Sequence, residues 1–127
     1  MAVDCIAILK LATDDIQSAD GEARVRNVIG RAYYAAYHRA NLFHNALPDQ
    51  GAAPLDKVGL HRALSFSLEN PTVSDAALRK KSKQIGYMCR DLHSKRVDAD
   101  YDIDRDITIK TAEQAVEQTK RLFDLTA

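Results

Sequence analysis

The chain has 127 residues, enough for one domain with a buried core. Apolar residues make up 46% and charged residues 28%, a composition that excludes a disordered chain. The 18 Lys and Arg balance the 18 Asp and Glu, which excludes nucleic-acid binding driven by net charge and leaves only local basic surfaces for it. No stretch approaches the roughly 18 apolar residues of a membrane span. The first ten residues lack a basic n-region, and Asp4 interrupts their apolar run, so no signal peptide is expected. Cys5 and Cys89 stand alone, without CxxC or metal-ligand spacing. They read as reduced, small apolar residues of a cytoplasmic protein.

Ile6, Leu9, Ala12, Ile16 and Ala19 recur every three or four residues and predict a first helix over 3–19. Asp20-Gly21 is a turn signal. A second helix, over 22–46, carries Val25, Ile29, Ala32, Ala36, Ala40, Phe43 and Leu47 on one stripe. Gly30, Ala32, Ala35, Ala36 and Ala40 are small enough to let another helix come close, which places this helix at the centre of the domain. Pro48 to Gly51 stops it, and 48–56 reads as a loop. Val58, Leu60, Leu64, Phe66 and Leu68 predict a shorter third helix over 57–69, ended by Asn70-Pro71.

Ser74 suits the N-cap of a fourth helix, with Asp75 in its first turn. Its stripe is Leu78, Ser82, Ile85, Cys89 and Leu92, and it runs to about Lys95. Arg96 is next on that stripe and should emerge at the edge of the core. Gly86 weakens this helix by roughly 1 kcal/mol relative to Ala. The last helix starts near Thr108, with Ala112, Ala115, Val116, Thr119, Leu122 and Phe123 inward. No segment has the alternation of a strand: Asp98 to Asp106 alternates, but in Asp. The fold class is therefore all-α, a compact up-and-down bundle of about five helices in a single domain over 1–127.

Charge is concentrated at 76–106. Seven Lys or Arg stand between Ala76 and Val97 against one acid, Asp91; then Asp98, Asp100, Asp102, Asp104 and Asp106 follow. A basic helix thus runs into an acidic turn, with Arg96 and Tyr101 at the junction. A cation, a phenol and carboxylates at one place suit a ligand site. They equally suit a solvated helix end with an Asp-rich loop that caps its neighbours.

On the second helix, Arg31, Tyr34, His38 and Leu42 share a face. Tyr34 and His38 are spaced to hydrogen-bond, and Arg31 can meet a phosphate or a loop aspartate. Packing mass with polar tips is the competing reading of Tyr33, Tyr34 and Tyr37. His93, three residues before Arg96, titrates near neutral pH and could act as acid or base, or simply lie exposed. His44 and His61 have no partner legible in the sequence. No histidines or acids have defensible metal-ligand spacing, and no phosphate-cradling glycine loop or nucleophile elbow is present, so neither a metal nor a cofactor is expected.

Three stretches carry a family resemblance. Arg26-Asn-Val-Ile-Gly-Arg-Ala-Tyr-Tyr-Ala-Ala-Tyr-His38 resembles the second helix of HEPN-domain proteins (higher eukaryote and prokaryote nucleotide-binding). Arg96-Val-Asp-Ala-Asp-Tyr-Asp102 resembles the R-x-x-A-D-Y stretch that closes the fourth helix in one prokaryotic branch, and His61-Arg-Ala-Leu64 resembles its third helix. The resemblance spans nearly the whole chain in order. It implies a helical bundle paired as a homodimer through its central helices. It also implies a role in toxin–antitoxin or phage-defence systems, either as a metal-independent ribonuclease or as a non-catalytic companion of a small nucleotidyltransferase.

The catalytic motif of that family is Arg, four to six residues, then His at a helix end, two copies meeting in the dimer groove. Here Arg96 is followed by Tyr101 where that His would stand. Phenols ionise near pH 10 and are poor general bases at pH 7. Arg31 with His38, and Arg39 with His44, fit the spacing but fall within the second helix.

Three functions are therefore open. The one favoured by Arg-x4-Tyr is a non-catalytic module that binds a nucleotide, RNA or partner protein through Arg31, Tyr34, Asp100 and Tyr101 beside Arg96. Next is a structural dimerisation domain in which Arg31 or Arg96 pairs with Asp98, Asp100 or Asp102 and braces the loop. Last is a ribonuclease in which Arg96 stabilises charge and His93 or His38 moves protons.

Overall fold

The computed structural model describes residues 4–18 and 20–127; the expected first-helix positions 3 and 19 lie outside them. Among the described residues there are five helices and no strand: α1 (Cys5–Ser18), α2 (Glu22–Asn45), α3 (Leu60–Glu69), α4 (Ala76–Tyr101) and α5 (Ile109–Leu125). Asp4 accepts the Ala7 N–H at 2.8 Å and caps α1. Gly21, at φ 86°, makes the turn into α2 in a backbone region that side chains rarely enter.

α2 is the axis of the molecule. Val25, Val28, Ile29, Gly30, Ala32, Tyr33, Ala35, Ala36 and Ala40 are buried, more than one stripe, because α1, α4 and α5 all pack against it. Gly30, Ala32, Ala35, Ala36 and Ala40, the small residues expected to admit a neighbouring helix, are all among them. The inward residues of α4 (Ser82, Ile85, Cys89, Leu92) and α5 (Ala112, Ala115, Val116, Thr119, Leu122) close the core as their spacing predicts. Thr119, buried, donates to the carbonyls of Ala115 and Ala32 and joins α5 to α2. Three expected core residues are instead on the surface: Ile6 of α1 and Leu60 and Phe66 of α3. Only one narrow side of each of these helices is covered, by Cys5 and Ala12 in α1 and by Leu64 and Leu68 in α3.

The contacts also fix the directions. Arg26 near the start of α2 meets Ala99 near the end of α4, so these two are antiparallel. Ile107 bonds Glu22, and Arg39 bonds Thr126, so α5 runs parallel to α2. Ser82 Oγ donates to the Leu68 carbonyl at 2.7 Å, and His61 lies against His93, so α3 is antiparallel to α4. α3 therefore points the same way as α2, and the strict up-and-down order expected from the sequence is broken there. Residues 46–59 make the return. They are pinned across the end of α3 by the Ala52 N–H on the Asn70 carbonyl and by Ser67 Oγ on the Ala52 carbonyl. Gly51 is required in this passage: a Cβ there would sit 1.8 Å from the Ser67 carbonyl oxygen.

Three further boundaries differ from expectation. α3 starts at Leu60, not at 57, and leaves Val58 in the preceding link. Asp75, not Ser74, caps α4, accepting the Leu78 N–H at 3.0 Å. α4 runs on to Tyr101, past Lys95, because a residue distant in sequence receives its end. Arg26 donates to the carbonyls of Ala99 (2.9 Å), Asp102 (2.9 Å), Asp98 (3.3 Å) and Arg105. These include last-turn acceptors that a helix leaves unpaired. Asp98, Asp100 and Tyr101 thus stand on a helix, and the acidic turn is only the short link after it.

Candidate functional site

Two connected clusters lie where α2, α3 and α4 meet. The first is a layer of cations and phenols. The Arg96 guanidinium lies 5.6 Å from the ring centres of both Tyr34 and Tyr101, and that of Arg31 lies 5.0 Å from Tyr34. Such contacts contribute about 0.5–1 kcal/mol each at exposed sites. Arg96 does emerge at the edge of the core, with its side chain 15% exposed. Its Nε is 2.8 Å from Asp100 Oδ2, one turn on, yet the N–H is not aimed at that oxygen. Both Arg31 Nε and Arg96 Nε are buried without a hydrogen-bond partner. A buried donor left unmet costs about 1–3 kcal/mol, and more when charged.

Of the pairings expected for the brace, Arg96 with Asp100 is made, but within α4, so it does not tie the link to α2. Arg31 forms no ion pair among the described residues. Arg26 is the brace, joined by Arg105 on Asp98 at 3.0 Å. Asp100 instead reaches back over α2, where Gly30 is bare enough that even a Cβ would lie 3.8 Å from Asp100 Oδ1.

The second cluster is a run of imidazoles and phenols. Tyr33, buried on α2, has its Oη 2.5 Å from His61 Nδ1 on α3. His61 and His93 stack with centres 5.2 Å apart and planes 18° apart. Tyr33 lies 5.3 Å from His93, and Tyr37 lies 4.6 Å from His61. His38 is exposed at the end of the run, its ring 5.3 Å from Tyr37 and 6.4 Å from Tyr34. The expected Tyr34–His38 hydrogen bond is not made: the two rings stack instead.

The electrostatics of this run are set by burial and by arginine. Desolvation holds His61 below the usual histidine range, helped by His93, Arg96 and His38. Desolvation, Arg96 and Arg62 do the same to His93. Burial raises the Tyr33 phenol, which stays protonated. Burial and Glu69 push the Cys89 thiol up to about 12, so it is a packing residue and not a nucleophile.

Outside the stack, α3 and α4 enclose a cleft of about 420 Å³ lined by His61, Arg62, Ser65, Phe66, Glu69, Arg90, His93 and Ser94. Glu69, its side chain only 5% exposed, is neutralised by Arg90 at 2.7 Å. Among the described residues no group of three or more His, Cys, Asp or Glu could hold a metal ion, and no helix is long and apolar enough to cross a membrane.

Of the residues singled out in the sequence, Arg31, Tyr34, Arg96, Asp100 and Tyr101 come together, and His93 joins them through the stack. His38 stays at the rim. Tyr33, Tyr37, His61 and Arg62 complete the site and were not legible as such. The spacing of Tyr33 and Tyr37, one helical turn, was the available signal for two of them. His61 and Arg62 reach the site only through the long 46–59 return, which no periodicity reveals. No protein-family model, curated protein or solved structure matches this chain to a significant degree.

Proposed function

We propose that this chain is a HEPN-like module that binds RNA or a nucleotide by its phosphate at Arg31 and Arg96, without cleaving it. The observation that carries the reading is the pair of arginines held against Tyr34 and Tyr101: neither Nε–H makes a hydrogen bond, Arg31 has no ion pair among the described residues, and Arg96 has only Asp100 of its own helix. A phosphate offers Arg31 the charged acceptor it lacks and Arg96 one in addition to Asp100, and exposed Tyr101 offers a face on which a base can stack. The motif resemblance supports the same assignment and brings with it a homodimer, a place in a defence or toxin–antitoxin system and a nucleotidyltransferase companion. Tyr101 in place of histidine supports binding over cleavage.

A second reading, a metal-independent endoribonuclease, is favoured by one observation: His93 lies within the field of Arg96 and stacks on a second imidazole. In that reading Arg96 stabilises the scissile phosphate and His93, with His38 at the rim, moves protons. The near-parallel stack counts against a pair of imidazoles working from opposite sides of a phosphate: ring nitrogens donate and accept in the ring plane, so two stacked rings do not face each other across a ligand with their nitrogens.

The discriminating experiment incubates the purified protein with labelled single-stranded RNA and follows both binding and cleavage, beside Arg96→Ala and His93→Ala. Binding lost in Arg96→Ala, with no product in any sample, is the expected result. Cleavage abolished by His93→Ala establishes the second reading.

A further inference from the structure

The α3–α4 cleft is lined by both imidazoles of the stack and by neither Arg31 nor Arg96, and its chemistry follows from one buried proton. Tyr33 is 1% exposed and its phenol stays protonated, so that O–H must find an acceptor. Nδ1 of His61, at 2.5 Å, is the partner it has. Nδ1 therefore accepts, and the ring proton of neutral His61 is on Nε2. His61 lines the cleft, so the nitrogen left for it is a donor.

The rest of the lining agrees in sign. Arg90 cancels the buried Glu69 carboxylate. Arg62 is exposed, lies close enough to lower the basicity of His93, and forms no ion pair among the described residues. Ser65 and Ser94 add hydroxyls, and Phe66 shows part of its ring. One uncompensated guanidinium, a fixed imidazole N–H and two hydroxyls in a concave space form a site for an oxyanion.

We propose that the α3–α4 cleft is a second phosphate site, where His61 Nε2–H and Arg62 hold one phosphate of a single-stranded RNA whose adjoining segment lies at Arg31 and Arg96. The strand assignment rests on the function proposed above; the phosphate site itself does not. His93 and Arg96 are three residues apart on α4, a rise of about 4.5 Å, so the two sites are within reach of one strand. Phe66 at one end and Tyr101 at the other are the rings available to its bases.

The test has two arms. Imidazole ¹⁵N spectra of the protein alone, and then with added inorganic phosphate, read the cleft. His61 as the neutral Nε2–H form at pH 7, with signals moved by phosphate, is the expected result. An Nδ1–H form, or no response to phosphate, overturns the site. Fluorescence anisotropy of a short labelled oligouridylate reads the strand, with Arg62→Ala beside Arg96→Ala. Arg62 is exposed, so its loss leaves the fold intact. Arg62→Ala should weaken binding roughly tenfold, as expected for one charged hydrogen bond. It should also lower the slope of log affinity against log salt by about 0.7, the loss of one phosphate contact on a single strand. Unchanged RNA affinity in Arg62→Ala, with weakened Arg96→Ala, overturns the cleft's part and leaves the Arg31–Arg96 function standing. Weakened Arg62→Ala with unchanged Arg96→Ala does the reverse.

Discussion

The Tyr33 phenol on the central helix lies 2.5 Å from Nδ1 of His61 on the shortest helix, a contact in which the protonated phenol donates and Nδ1 accepts. Tyr33→Phe removes the donor and keeps the ring. Loss of this hydrogen bond should destabilise the protein by about 1 kcal/mol. It should also free Nδ1 to take a proton, so that His61 titrates at higher pH than in the wild type. Denaturant unfolding and an NMR titration of the His61 ring check the two effects. An unchanged titration would mean that Tyr33 does not govern the imidazole.

His44, His61 and His93 are all held below the ordinary histidine value of 6.5, each mainly by burial. For a base depressed by folding, the unfolded chain binds protons first. The neutral-pH stability is therefore complete above 6.5 and is lost as pH falls from there towards the folded values. Thermal melts from pH 7.5 to pH 5 should show Tm falling across that window. A His61→Gln variant should show a shallower fall, and an equal slope in both would remove His61 from the cause.

Gly86 sits in the middle of α4, where alanine would ordinarily stabilise a helix by about 1 kcal/mol. A Cβ there would stand 2.8 Å from Glu69 Cγ and 3.0 Å from both the Glu69 nitrogen and Leu68 Cβ. The backbone at the end of α3 cannot step aside without moving Glu69, which lines the cleft and pairs with Arg90. Overpacking costs about 1–3 kcal/mol and outweighs the propensity gain. Gly86→Ala should therefore lower the denaturant midpoint; a raised midpoint would show that α3 yields.

Arg26 donates to four carbonyls at the end of α4 and the link beyond it. Arg26→Ala should uncap that end and lose about 1.5–3 kcal/mol, the range for hydrogen bonds to a charged group. Amide exchange should quicken from Asp98 to Ile107 while the α5 core stays protected. Uniform loss of protection would show that the contact supports the whole fold and not the helix end.

Arg26 also shows where the sequence stops being legible. The helices themselves were readable, because α2, α4 and α5 bury residues at regular spacing and that regularity is local. The end of α4 was not, since its stop is set by a side chain on α2, 73 positions away. The site divides in the same way. Arg31 with Tyr34, and Arg96 with Asp100 and Tyr101, lie within a turn or two of each other on one helix, and their company could be read from spacing. Tyr33 with His61 is a pairing between helices, made by the parallel placement of α3 that the 46–59 return produces. Gly86 looked like a weakness of α4 for the same reason: what it makes room for is on another helix.

The claim that the arginines beside Tyr34 and Tyr101, whose buried Nε–H groups make no hydrogen bond, form a phosphate site is tested most directly by RNA binding in Arg96→Ala. Circular dichroism and melting should first establish that the variant folds. Anisotropy with a labelled single-stranded RNA, at fixed low salt, then compares it with the wild type. At least a tenfold loss of affinity with helicity unchanged is what this account predicts. Wild-type protein that binds no RNA and no nucleotide, or a folded Arg96→Ala that binds as well as wild type, would contradict it.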